Sequence, residues 1–238
     1  MFKTLKNALK TPDVRKRLLY TLLLIVIFRL GCWITIPGVN SVKLNELMET
    51  NSLTTWINTL SGGAFSNFSI FALSISPYIT ASIVIQLLGM IIPSLERLTK
   101  EGGEEGKRKI NKYTKIVTVI LSLVLATGTY LSYVGKGVFI KEGFLAGVTV
   151  VTSLVGGTAM LLWIAEQIDS KGIGNGISTI IFVGIISSLP TALVEIWKLI
   201  ITGNGFSTTG LIISLGILIG AIVLVAGVVF VQQAERRV

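Results

Sequence analysis

Residues Gly62 to Leu88 read GGAFSNFSIFALSISPYITASIVIQLL, a stretch without a charge that is interrupted at Ser76 and Pro77. Proline pushes the residue before it out of the α region and itself suits the first turn of a helix. A helix therefore starts at Pro77 and runs to about Ile92, roughly 24 Å at 1.5 Å per residue and nearly enough to cross hydrocarbon. Residues 61 to 75 are too few to span. Gly62, Gly63, Ser66, Asn67, Ser69 and Ser74 would leave polar groups and open backbone facing lipid, and such backbone is tolerated at membrane depth only inside protein or against a water-filled cavity. Two arrangements fit these residues alone: a half-helix that lines a pore or funnel, and one long helix kinked at Pro77.

The rest of the chain sets the class. Its 238 residues are 51% apolar and 14% charged, with a mean hydropathy of +0.78, the profile of an all-α polytopic membrane bundle. Six spans are expected, at about 18–36, 61–92 (broken at 76/77), 116–134, 145–167, 177–197 and 209–231, all within a membrane domain 18–231. Residues 1–17 form a basic amphipathic segment lying on the surface, ahead of an uncleaved first helix. Residues 232–238 begin a cytoplasmic loop.

Lysine and arginine placement sets the orientation. An inside N-terminus puts Lys3, Lys6, Lys10, Arg15, Lys16 and Arg17 inside, followed by Arg97, Lys100, Lys107, Arg108, Lys109, Lys112 and Lys115 in the next inside loop. Lys171, Arg236 and Arg237 join them, and the outside receives Lys43, Lys136, Lys141 and Lys198. The net charge of +9 thus follows from topology and anionic lipid, with an acidic cytoplasmic partner or the ribosome as a further use and no place for DNA. Trp33, Trp56 and Trp197 fall near the outer boundary and Trp163 near the inner one, as a membrane belt requires. The lone Cys32 forms no intrachain disulfide.

The chemistry of an enzyme is missing. Without histidine there is no HExxH metal site and no His-based triad. No aspartate lies inside a span and no GxSG motif occurs, so no catalytic residue, no metal ligand set and no cofactor is expected. Arg29 is the one clear charge within a span; it either snorkels outward or pairs with another helix, or it meets a substrate in an ion-coupled small-solute transporter. The glycine-rich KGIGNGIS, Lys171 to Ser178, has no strand before it and reads as a tight cytoplasmic turn with Asn175 or Gly176 capping the fifth helix.

Five segments in register resemble the SecY family, the channel subunits of the bacterial protein-conducting translocon. They are FRLGCWITIPGV (Phe28 to Val39), SGGAFSNFSIFALSISPYITASIVIQLL (Ser61 to Leu88), KEGGEEGKRKINKYT (Lys100 to Thr114), GGTAMLLWIAEQIDSKGIGNGIS (Gly156 to Ser178) and QQAERRV (Gln232 to Val238). The resemblance implies a SecY-type bundle in which residues 61 to about 74 are a re-entrant half-helix, the plug, with Gly62, Gly63, Ala64, Phe65, Ser66, Asn67 and Phe68 in its body. Ser74, Ser76 and Pro77 then form its hinge. It further implies a ring of apolar side chains at Ile75, Ile79, Ile177 and Ile181, each pair at i, i+4 spacing. A lateral gate is implied on the second and third spans, with Thr80 and Gln86 as its polar groups and Gln86 as a buried amide tuning closure.

The same resemblance implies translocation of unfolded secretory proteins and insertion of membrane proteins at the cytoplasmic membrane. Its partners would be SecE, SecG, SecA, the ribosome, signal-sequence-bearing polypeptides and membrane lipid, with Lys107, Arg108, Lys109, Arg236 and Arg237 as cytoplasmic contacts. The sequence departs from the family pattern at Thr35, Ser74, the loop EGGEEG and Ala234. It departs also in length, carrying about six of the ten spans the family uses, so a truncated fragment without function of its own is a further alternative.

Overall fold

The computed structural model describes residues 11–49, 54, 58–59, 61–100, 103–202, 205–206 and 208–233. Lys3, Lys6, Lys10, Trp56, Ala234, Arg236 and Arg237 lie outside the described residues. The chain divides into two compact units, residues 1–187 and 188–238.

Helix α1 (Pro12–Gly31) has Pro12 at its start, Asp13 in its first turn and Arg29 in its last, the charge order the helix dipole favours. Thr21, Leu24, Phe28 and Gly31 are buried at three- and four-residue spacing, whereas Leu19, Leu22, Leu23, Val26 and Leu30 are exposed. One stripe therefore packs inward and the rest presents apolar surface suited to lipid. The helix ends at Gly31, earlier than residue 36, and Pro37 biases Ile36 toward extended backbone. Residues 34–36 spend their hydrogen bonds elsewhere: Ile36 N donates to the Phe68 carbonyl and the Ile34 carbonyl accepts from Ile70 N, both at 3.1 Å.

A short helix α2 (Ser41–Glu49) follows, its first turn capped by the Asn40 side chain, which accepts from Val42 N and Lys43 N. Beyond the turn segment come α3 (Ser76–Ile91), α4 (Pro93–Lys100) and α5 (Gly103–Tyr133). Helix α3 begins one residue before Pro77, with Ile75 as its N-cap residue. Helix α5 starts at Gly103, well before Ile116, so the basic KRKINKYTK stretch expected as a loop is helical. Its residues are good helix formers, and Glu104 and Glu105 in the first turn complement the dipole.

Helices α6 (Phe144–Lys171) and α7 (Gly176–Ile200) complete the first unit as far as Ser187. Within it α3 packs along α5, α5 along α6, and α6 against α1, while α4 folds back on α3 and α5. The buried face of α5 runs Thr114, Thr118, Ser122, Ala126. Such small residues let helices approach closely, and their hydroxyls are satisfied within the helix: Thr118 Oγ1 donates to the Thr114 carbonyl at 2.7 Å.

In the second unit, the end of α7 leads to strands β1 (Ile201–Thr202) and β2 (Gly205–Phe206), antiparallel with Ile201 opposite Phe206. Helix α8 (Thr208–Gln233) is apolar and exposed around its circumference, as at Ile212, Leu218, Leu224 and Phe230. Four helices among the described residues are long and apolar enough to cross a membrane, namely α5, α6, α7 and α8, with α3 a shorter apolar helix. The chain is an all-α polytopic membrane bundle.

Two buried clusters hold the first unit together. One gathers Ile36, Leu44, Phe65, Phe68, Tyr133, Val138, Phe139 and Leu154; the other gathers Leu24, Phe28, Ala64, Phe71, Ile75, Leu161, Ile164 and Ile180. Residues 61–75 contribute to both. They lie against the middle of α6, where a Cβ on Gly157 would run into the Ile70 carbonyl. Backbone cannot yield as a flexible side chain would, so Gly157→Ala should destabilise the protein by about 1–3 kcal/mol. The neighbouring Gly156 faces open space, and Gly156→Ala should stay within about 0.5 kcal/mol. Thermal unfolding of the two variants in detergent checks this; equal midpoints would refute the contact.

Candidate functional site

Ser61 to Ile75 form a chain of turns rather than a half-helix. The cause is local: Gly62, Gly63, Phe68 and Ser74 have φ of +65, +84, +43 and +51°, in the left-handed region that a right-handed helix does not admit. Most of the segment is nonetheless buried, with Ala64 and Phe68 fully enclosed. Buried backbone must find partners, and the polar residues that make the stretch a poor membrane helix supply them. Ser61 Oγ accepts from Phe65 N at 3.2 Å, Asn58 Oδ1 accepts from Ser66 N at 2.9 Å, and Ser69 Oγ accepts from Phe71 N at 3.3 Å. Phe68 N and Ser69 N donate back within the segment, to the carbonyls of Phe65 and Ala64.

Aromatic side chains seat the segment. The ring of Phe68 meets Tyr133 and Phe139 edge-on, with centroids 6.4 and 5.9 Å away, and Phe65 packs against Tyr133 at 6.3 Å. Phe71 stacks on Phe28 of α1 at 5.9 Å. Pairs of this kind contribute about 0.5–1.5 kcal/mol beyond area burial.

Arg29 neither snorkels outward nor sits in an open substrate site. Its guanidinium donates to the Gly62 carbonyl at 2.5 Å, and Ser187 Oγ of α7, whose proton goes to the Gly184 carbonyl at 2.7 Å, lies 3.4 Å from the same Gly62 oxygen. A hydrogen bond from a charged donor contributes roughly 1.5–3 kcal/mol. Gly62 is buried in this clamp, and a Cβ there would meet Ser187 Oγ and the Gly184 backbone. The sequence signals a charge in a span and a glycine in a broken stretch; it carries no sign that the two meet.

Of the four ring residues, Ile75 is buried to 2% exposure in the inner cluster, and Ile177 and Ile181 pack partly buried against it. Ile79 lies outside that cluster, 39% exposed. Gln86 is exposed, with its amide donating to Ser82 Oγ at 3.3 Å in the same helix, so the expectation of a buried interhelix amide does not hold. The reason is register: Pro77, Ala81 and Ile85 form the buried stripe of α3, and Gln86 projects about 100° away from it. Thr80, also exposed, donates to the Ser76 carbonyl one turn back.

At the ends of α5 and α6 lies a cavity of about 640 Å³ lined by Tyr78, Glu104, Arg108, Lys115, Glu166, Asp169 and Ile177, among others. Lys115 and Glu166 pair across it at 2.5 Å, both side chains nearly half exposed. Lys107, Arg108 and Lys109 stand exposed on the first turns of α5. Sequence reasoning missed the acidic side of this cavity; Glu166 and Asp169, three apart on α6, were the available signal. The glycine-rich turn is built as a cap: Asn175 Oδ1 accepts from Ser178 N at 3.1 Å, and Asp169 Oδ1 accepts from Gly176 N at 2.7 Å. Thr21 Oγ1 ties the same turn to α1 by accepting from Ile173 N at 3.0 Å.

Residues 69–238 match the family model described as SecY. The chain is 39% identical over 242 residues to protein translocase subunit SecY of Staphylococcus carnosus, covering 100% of this chain and 56% of that protein. It is 39% identical over 243 residues to the Bacillus subtilis subunit of the same name, with the same coverage. To that of Rickettsia typhi it is 42% identical over 232 residues, covering 94% of this chain and 52% of the relative. The chain thus spans about half the length of the curated relatives it matches. Among solved structures, Sec61 in the canine ribosome-channel complex from the endoplasmic reticulum superposes with a TM-score of 0.60 at 20% identity, over 96% of this chain and 50% of that one. A structure described as a protein conducting channel gives 0.54 at 21% identity, over 82% and 40%. At such identities the likeness concerns the fold alone. A family model spanning most of the chain and relatives this similar along its whole length make the chain a member of the SecY family.

Proposed function

We propose that this chain supplies the N-terminal part of the wall of a protein-conducting channel, which moves unfolded secretory proteins across the cytoplasmic membrane and membrane proteins into it. The observation that carries the reading is the segment 61–75: non-helical backbone buried beside the middle of a spanning helix, hydrogen-bonded by its own serines. A bundle has little need of such a plug unless something is to be stopped. Were the segment to leave its seat for water, exposing Phe65, Phe68 and Phe71 would cost about 1.5–3 kcal/mol each. That favours a closed resting state.

On this reading Ile75, Ile79, Ile177 and Ile181 supply part of a dewetting ring that offers ions no ligand while a polypeptide slides past. Gly62 to Phe68 form the plug body, with Ser74, Ser76 and Pro77 at the hinge where turns give way to α3. Helices α3 and α5, packed along one another, form one side of the lateral gate, with Thr80 and Gln86 on its exposed surface. Motive force comes from SecA or the ribosome, which would meet Lys107, Arg108 and Lys109, and further along Arg236 and Arg237. SecE and SecG are the membrane partners. The N-terminus faces the cytoplasm, as the concentration of Lys and Arg requires. Residues 1–17, 18–231 and 232–238 serve as surface segment, membrane domain and loop start.

A photocrosslinking residue at Ile79 or Ile181 of the complete channel should capture a stalled secretory chain; adducts only with lipid or neighbouring helices would overturn the ring assignment. The hinge generates a second expectation. Ser74 is held at φ +51°, which costs an L-residue roughly 1–2 kcal/mol. Ser74→Gly should therefore keep or raise the thermal midpoint of the purified channel, and Ser74→Val should lower stability by about 1–3 kcal/mol.

A further inference from the structure

Arg29 is a charged side chain within the bundle that the channel reading leaves without a task, and its surroundings assign one. It stands in the last turn of α1 with five possible donors, and it spends one on a main-chain carbonyl of the plug, 33 residues away in sequence. The carbonyl belongs to Gly62, at the opposite end of the segment from the hinge. There the plug is held by a side chain from a helix that does not belong to it, Arg29 of α1, with Ser187 of α7 packed beside the same oxygen. At the hinge end it is continuous with α3. Chain continuity tethers the segment at both ends, so what can be released at the Gly62 end is the hydrogen bond, and a tethered segment held there by a releasable bond from a neighbouring helix has the form of a latch.

The chemistry of the guanidinium suits two states. Closed, it is satisfied by the Gly62 oxygen inside the bundle. Open, a wet pore would hydrate it, so release leaves no buried unpaired charge to oppose opening. An apolar residue at 29 would give the closed state nothing comparable. Gly62 completes the fit, because any side chain there would collide with Ser187 and Gly184 and lift the carbonyl from its donor.

We propose that Arg29 is a positioning residue of the channel: its guanidinium holds the Gly62 end of residues 61–75 in the closed seat, and giving up that carbonyl is the step that frees the plug. The proposal rests on the reading of residues 61–75 as the channel's seal.

The test is the resting ion current of the complete channel in planar bilayers, measured for the parent, Arg29→Lys, Arg29→Met and a deletion of residues 62–67. Membrane accumulation and translocation of a secretory substrate are followed alongside. Arg29→Met should raise the resting current at least about tenfold, the population shift that loss of one charged hydrogen bond produces. Arg29→Lys, which keeps a charged donor, should restore most of the closure, a rescue that a purely space-filling role would not give. The deletion should leak whatever stands at 29. Should Arg29→Met fail to accumulate, Arg29→Gln is read in its place, with the same sign and a smaller rise. A tight Arg29→Met or Arg29→Gln channel beside a leaking deletion overturns the latch and leaves the seal standing; a tight deletion overturns the seal and the latch with it.

Discussion

Backbone that leaves the helix inside an apolar bundle must find hydrogen-bond partners without water, and this constraint organises the first unit. Between Ser61 and Ile75 the chain abandons helical geometry at Gly62, Gly63, Phe68 and Ser74, and the donors so freed are met by Ser61, Ser69 and Asn58. The demand extends to the neighbours. Residues 34–36 leave α1 to pair with residues 68–70, α6 needs a glycine where Ile70 approaches, and α1 carries an arginine where Gly62 presents its carbonyl. Remove the turn segment and each of these features loses its reason.

The residues announced this segment clearly and its neighbours less so. Ser76-Pro77 marked the start of α3 to within a residue because proline acts through its own ring and the residue before it. Composition and charge asymmetry made a polytopic bundle legible, since length and hydropathy are local properties. The start of α5 was not legible: a run of lysine and arginine beside glycines reads equally well as loop or as exposed helix, and the hairpin with α4 that settles it is a tertiary contact. The Arg29 pairing was hidden for the same reason. The half-helix inferred by resemblance became a series of turns because Phe68 and Ser74 adopt left-handed backbone, which their side chains do not advertise.

Ser74 shows how a departure from a family pattern acquires physical meaning. The resemblance places a glycine at this position, and the backbone here takes the conformation for which glycine is best suited. Serine occupies it nonetheless, buried and with its amide donating to the Phe71 carbonyl at 2.8 Å. Strain at Ser74 is thus opposed by the aromatic seating of Phe65, Phe68 and Phe71, so the segment stays in place through packing rather than through its preferred backbone. In a membrane this distinction matters, because burial among helices gains little over burial in lipid and close fit supplies the attraction.

Helix α5 spans 31 residues, roughly 46 Å against a hydrocarbon core of about 30 Å. A continuous helix is stiff, so by length about a third of it exceeds the hydrocarbon thickness, and its first turns are packed against α4, whose Leu98 carbonyl lies where a Cβ on Gly106 would stand. A displacement of those first turns is therefore carried along the helix to the close-packed threonine and serine stripe, and it reaches α3 and α6 as a tilt rather than as a local bend.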